Sequence, residues 1–270
     1  LPALRYLTDR GRHGWINAVW PRSENEGLFR SLAPEQEDEV LASMVICPNI
    51  NHNAEQILKA IAAKSPEKVI DFFGKRLAHE KGLQSSRGYD EVPYEFHDLR
   101  ETLQKIPEQL VAKVREWFAS DNELFAYRGG RMIAAVFPEP EDQLLKPLHE
   151  LAGTGKLDDV EFVIEVLKNY HGQVVLHDLF KDLIAALPEG SPLLGEISVA
   201  LDSAGVVAGE FGHVATYLRK KDEIKPWLDD PREKVWAFAH NQTLGLERQI
   251  ADEQRRAEQG LELRKRNYGE

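Results

Sequence analysis

Four residues in this chain have the types and pairing for metal chemistry. His97 stands next to Asp98 and His177 next to Asp178, with His79 upstream and Asp202 downstream. An imidazole and a carboxylate side by side can hold a transition metal that activates water, which is the chemistry of an all-α, HD-type phosphohydrolase. That reading requires His97, Asp98, His177 and Asp178 to converge on one ion. Against it, nine histidines in 270 residues generate adjacent His-Asp pairs by chance. His177 and Asp178 also fall within an amphipathic stretch, where a satisfied or solvated side chain is the ordinary outcome.

The remaining catalytic patterns are incomplete. HEKGL and HELAG begin like a zinc-protease motif, but Leu83 and Gly153 stand where the second histidine is needed. The segment from Ala152 to Asp159, AGTGKLDD, imitates a phosphate loop. Glu150 occupies the place of the first glycine and Leu157 that of the Ser/Thr, so a turn between helices is expected. The single Cys47 lies in the apolar run MVICP and reads as a buried, inert thiol. It also rules out an internal disulfide framework or a cysteine zinc site. The carboxylate pairs read as solvated faces and helix caps. The chain is expected to be non-catalytic and to carry no cofactor.

A second set of residues could serve recognition. Aromatic and arginine side chains in polar surroundings are the usual anchors of protein interfaces. Here these are Arg87, Tyr89 and Tyr94 in the segment Lys81 to Phe96, Tyr127 and Arg128 ahead of Gly129-Gly130 in an expected turn, and Trp236. Trp236 falls one position off the apolar stripe that begins at Val235, and packing on a neighbouring helix is its expected fate. Trp15 and Trp20 sit close together near the start of the chain.

The elements that must position these residues have helical period nearly everywhere. Leu110, Val111, Val114, Trp117 and Phe118 form one stripe; Val69, Ile70, Phe73 and Leu77 form another. Leu176, Leu179, Phe180, Leu183, Ile184 and Leu187 form a third. In WLDDPREKVWAFAH, residues Val235, Phe238 and Ala239 are expected to pack as core. Val160 to Leu167 alternates in part, yet Val163 and Leu167 favour a helix with a broad apolar face over a strand. APEQEDEV, SPEKV, IPEQL and DPREKV each place proline in a first helical turn with an acid behind it. A helix start tolerates the missing N–H and its dipole attracts the acid. Ser65 and Asp230 are expected N-caps.

Pro34, Pro66 and Pro107 lie 32 and 41 residues apart, the size of a helix–turn–helix repeat. The expected organisation is residues 1–32 as N-terminal helices, 33–250 as an irregular helical array, and 251–270 as a charged helix or tail. Lys81 to Phe96 is long for a connection and reads as an insert between helix pairs.

WLDDPREKVWAFAHNQTLGLERQI resembles a HEAT-type repeat. Asp229, Asp230, Val235, Ala239 and Leu246 stand roughly where that family has its Asp-rich turn, Val, small residue and Leu; Trp236 stands where it often has Arg. The resemblance implies an all-α solenoid whose concave face binds protein. Gly205 to Pro231 is similar in character to the C-terminal repeat regions of large bacterial STAND-type NTPases of defence systems. That likeness implies a sensor or scaffold arm belonging to a longer polypeptide.

Composition bounds the partners. With 34 basic and 45 acidic residues the net charge is −11, which repels nucleic acid and anionic lipid. No apolar run approaches the ~20 residues of a membrane span. A reducing cytosol and a protein partner are the expected setting.

Overall fold

The computed structural model describes residues 6–7, 10, 14–16, 25–81, 88–203 and 211–268. Every regular element among them is helical. They divide into two compact units, 1–148 and 149–270.

In the first unit α1 is Asn25–Arg30, α2 Pro34–Val45, α3 His52–Ala62, α4 Pro66–Lys81, α5 Arg100–Leu103, α6 Pro107–Ser120 and α7 Asn122–Val136. The expected proline starts hold for α2, α4 and α6. Asn51 caps α3 by accepting from the Ala54 amide at 3.0 Å, and Asp121 caps α7 from Leu124 at 3.0 Å. Ser65 spends its hydroxyl proton on the buried Glu37 at 3.0 Å, and Lys68 pairs with the same carboxylate at 3.2 Å. The core is built from the expected stripes: Val69, Ile70, Phe73 and Leu77 of α4 are fully buried, as are Leu110 and Val114 of α6. α4 packs on α2, α3, α6 and α7.

One expected turn is instead helix. Tyr127, Arg128, Gly129 and Gly130 lie in the middle of α7. The glycines serve helix packing: a Cβ on Gly129 would stand 2.9 Å from Cγ1 of Val114. The backbones of α6 and α7 approach too closely there for any side chain.

α8, Asp142–Ala152, runs through the division between the units. The second unit holds α9 Leu157–Leu167, α10 His177–Ala186, α11 Leu193–Asp202, α12 Gly212–Ile224 and α13 Glu233–Tyr268. α9 contains the ambiguous stretch from Val160, which is helical as expected, with Val163 and Leu167 fully buried. α10 and α12 both pack on α13. Three-residue 3-10 turns at Lys168–Tyr170 and Val174–Leu176 flank the tight bend at His171 and Gly172. Gly172 has φ +59° and comes so close to α11 that a Cβ would meet the Leu201 carbonyl at 2.7 Å.

The start of α13 differs from expectation. The helix opens at Glu233, and Pro231 stands two residues outside it. Asp230 is occupied by Arg232, whose Nε and backbone amide donate to it at 2.8 and 3.0 Å. That guanidinium holds the Asp230 carboxyl down to about 2. Val235, Ala239, Leu246 and Ile250 of α13 are buried. Beyond Ile250 the helix continues as a charged segment with Arg256–Glu253 pairing at 2.6 Å and an Arg255–Asp252 pair. Among the described residues no helix is long and apolar enough to cross a membrane.

Candidate functional site

Three of the four residues proposed for metal chemistry, Asp98, His177 and Asp178, have other partners. Asp98 faces His52 at 3.4 Å and Lys59 at 3.5 Å, while its backbone amide and that of Leu99 donate to the buried Glu55 at 2.6 and 2.8 Å. His97 is exposed. These residues belong to the first unit and His177 to the second. His177 is only 6% exposed. Trp227 Nε1 donates to its Nδ1 at 3.3 Å, and the Gly172 backbone bonds its other side. The indole meets the imidazole edge to face at 5.0 Å. Burial pushes the His177 ring down to about 4, so it is neutral at pH 7. Asp178 points outward to Lys181 at 2.5 Å. Among the described residues no group of three or more His, Cys, Asp or Glu side chains is placed to hold a metal ion.

The recognition candidates scatter. Arg87 lies outside the described residues. Tyr89 is half-buried: its hydroxyl donates to the Val45 carbonyl at 2.5 Å, and its ring lies 4.6 Å from the Arg76 guanidinium. Tyr94 is 89% exposed and Tyr127 68% exposed. Arg128 turns back on its own helix, reaching the Leu124 carbonyl at 3.5 Å. Trp236 is 46% exposed and stacks on His240, one turn along α13, at 5.5 Å. It therefore lacks the burial expected of it, because no neighbouring helix covers that side of α13 among the described residues.

Arg76 was not legible as a key residue. It is fully buried on α4, and no carboxylate side chain bonds it directly. Nη1 donates to the carbonyls of Met44, Val45 and Cys47 at 3.2, 2.9 and 2.7 Å, and Nε to Glu91 at 2.9 Å; Nη2 donates to the Asp90 carbonyl. The guanidinium thus satisfies the last carbonyls of α2, at the negative end of its dipole, and ties the chain at 90–91 to them. Arg131 reinforces this from α7, donating to the Val92 carbonyl at 3.0 Å and pairing with Glu91 at 3.2 Å. Cys47 sits beside this clasp, and burial pushes its thiol up to about 11. The cluster is a structural clasp joining the end of α2 to residues 90–92.

A cavity of about 540 Å³ lies in the second unit. Its floor is the end of α10, Ile184 and Leu187, followed by Pro188, Glu189 and Gly190. One wall is α11, through Leu194, Gly195, Ser198 and Asp202. The other is α13, through Glu233, Lys234, Ala237, Phe238, Asn241, Gln242, Gly245 and Gln249. The α13 positions recur at three and four residues, so one face of the helix lines the groove while Val235, Ala239 and Leu246 face the core. Phe238, expected in the core, is half-buried and forms part of the groove wall.

A polar relay crosses the groove. The Ser198 hydroxyl donates to Gln242 Oε1 at 2.6 Å, and Gln242 Nε2 donates to Asp202 Oδ1 at 2.6 Å. Gln242 is 7% exposed, so both ends of its amide are committed. Burial raises the Asp202 carboxyl above its ordinary range, partly offset by the Gln242 bond and by Lys220. Lys234 is spent on the end of α10, donating to Leu187 at 2.7 Å and Ala185 at 3.3 Å.

Two glycines open onto this space, Gly195 in the first turn of α11 and Gly245 inside α13. A Cβ built on Gly195 or Gly245 meets nothing within 4 Å. Gly245 costs α13 roughly 1 kcal/mol relative to alanine, and there the cost is not repaid by close packing, as it is at Gly129. The sequence held part of this signal, since Gly245 interrupts an amphipathic run with no turn chemistry around it, whereas Gly195 follows the turn residues Pro188 to Pro192. Only the fold shows that they face each other's groove.

Comparison with protein-family models, with curated proteins and with solved structures finds no match to the chain.

Proposed function

We propose that the chain is a helical-repeat recognition module, HEAT-like in architecture and without chemistry of its own, which seats a protein partner in the groove between α11 and α13. The observation that carries this is the groove itself. It is apolar on its floor, polar along a fixed relay, and kept open by two glycines that no packing contact requires. Pockets with this mixture are the usual sites of ligand and peptide binding. The paired helices of each unit and the Pro-initiated helix starts support the repeat reading. In the cell this module would be the cytosolic sensor or scaffold arm of a longer protein.

A photo-crosslinking amino acid at Asn241, on the groove wall, tests the reading; the same group at Glu258, on the charged end of α13, is the comparison. Covalent capture of one defined protein from Asn241 and not from Glu258 is expected in lysate of the source cells. Equal capture from both positions, or none from Asn241, overturns it.

A further inference from the structure

We infer that the occupant of the groove is a cationic amphipathic helix, seated along α13 with a basic side chain directed at Asp202. This rests on the recognition reading above and adds the chemistry of what is recognised.

Three observations carry it. The first is length. The lining residues of α13 run from Glu233 to Gln249, about 24 Å at 1.5 Å per residue. That distance corresponds to about four helical turns on the α13 side, while the facing lining of α11, Leu194 to Asp202, runs about 12 Å, so an elongated occupant meets both walls over about two turns. The second is depth and width. Gly195, Gly245 and Ala237 present little or no side chain, so a third helix can approach both walls at the ~8–10 Å spacing of packed helices. Its apolar side chains then reach Ile184, Leu187 and Phe238 on the floor and wall. Recognition of this kind reads anchors at i, i+3, i+4 and i+7 of the incoming helix.

The third is charge. The groove is lined by three carboxylates, Glu189, Glu233 and Asp202, against one ammonium, Lys234, with the buried Lys220 also acting on Asp202 from behind the lining. The Lys234 ammonium is committed to the carbonyls of Ala185 and Leu187. Asp202 is held in place by Gln242, which is in turn held by Ser198. A fixed, half-buried carboxylate at the end of an apolar slot is the complement of a Lys or Arg on a helix whose other face is apolar. An acidic helix would meet three like charges there and the −11 net charge of the chain.

The test uses the full chain and two fluorescent 16-residue peptides, one an amphipathic Leu/Lys helix and the other its Leu/Glu counterpart. Saturable one-to-one binding of the Leu/Lys peptide is expected, with the Leu/Glu peptide at least about tenfold weaker. Gly245→Leu, which changes no charge and enters open space, is expected to abolish binding; Gly260→Leu, on the charged end of α13, is expected to leave it intact. Asp202→Asn is expected to weaken binding about tenfold. Thermal melts of each variant confirm that it folds.

Equal affinity for both peptides overturns the cationic class and leaves the recognition reading in place. Leu/Lys binding that survives Gly245→Leu shows only attraction to an acidic surface and overturns the site. A dimer of the chain that Gly245→Leu dissociates makes the occupant a second copy and also overturns the proposal. Absence of any peptide binding overturns it too; the crosslinking experiment then decides separately whether the groove recognises anything.

Discussion

At the scale of single residues, one side chain that reads as reactive, His177, is held in a packing role. His177 is neutral because its Nδ1 must accept from Trp227 and its surroundings exclude water. Its ring titrates near 4 in the fold against 6.5 ordinarily. Between those values the unfolded chain takes up a proton that the folded chain refuses. Stability should therefore fall as pH drops from 6.5 toward 4, by about 1.4 kcal/mol per pH unit from this group, and be flat above 6.5. Urea unfolding at pH 7.5 and pH 5.0 measures it. His177→Asn should be less stable at pH 7.5 and show a smaller loss on acidification than the parent; an unchanged loss would place the titrating group elsewhere.

Arg76 makes the opposite case, a charge kept in the core. Of its five carbonyl partners, Val45 also accepts from the Tyr89 hydroxyl and Met44 from the Cys47 amide, so Arg76→Met takes the donor chiefly from Cys47, Asp90 and Glu91. The expected cost is roughly 3–5 kcal/mol, read from the urea midpoint. Arg76→Lys should recover only part of it, because a single ammonium cannot span carbonyls on both sides of the planar guanidinium.

At the scale of elements, glycines within helices divide by what faces them. Gly129 touches Val114 across α6 and α7, and Gly129→Ala should destabilise the chain by about 1–3 kcal/mol through overpacking. Gly245 faces the groove, and Gly245→Ala should stabilise α13 by roughly 1 kcal/mol, raising the melting temperature. The same substitution thus carries opposite signs at two helix-interior positions. Differential scanning calorimetry of the two variants reads it directly, and a fall in melting temperature for Gly245→Ala would mean that the groove is closed in solution.

At the scale of the whole molecule, charge governs association. A net charge of −11 opposes duplex DNA at every orientation except one presenting a basic patch. The cluster Arg264, Lys265 and Arg266 is flanked by Glu262 and Glu258, which dilute it. No shift of a short duplex is expected at micromolar protein and physiological salt, and a shift that weakens steeply with salt would reverse this. Recognition of a basic partner should instead be faster at low ionic strength, since the long-range field attracts it.

Helical period, proline at the starts of α2, α4 and α6, and the stripes of α4, α6 and α10 were determined by the sequence alone. Those signals are local: a missing N–H, a dipole and a 3.6-residue period act within a few residues of one another. Where reading failed, the deciding contact came from far along the chain. Tyr127 to Gly130 looks like a turn until Val114 fills the space beside Gly129. His177 looks like a ligand until Trp227, fifty residues away, donates to it; Asp230 is the local exception, claimed by Arg232 two residues on. The groove is the extreme instance. Gly195, Ser198 and Asp202 on α11 become a site only when the tertiary fold stands them across from Gln242 and Gly245 on α13, because a shared cavity and a relay of hydrogen bonds are properties of distance in space and leave no period in sequence.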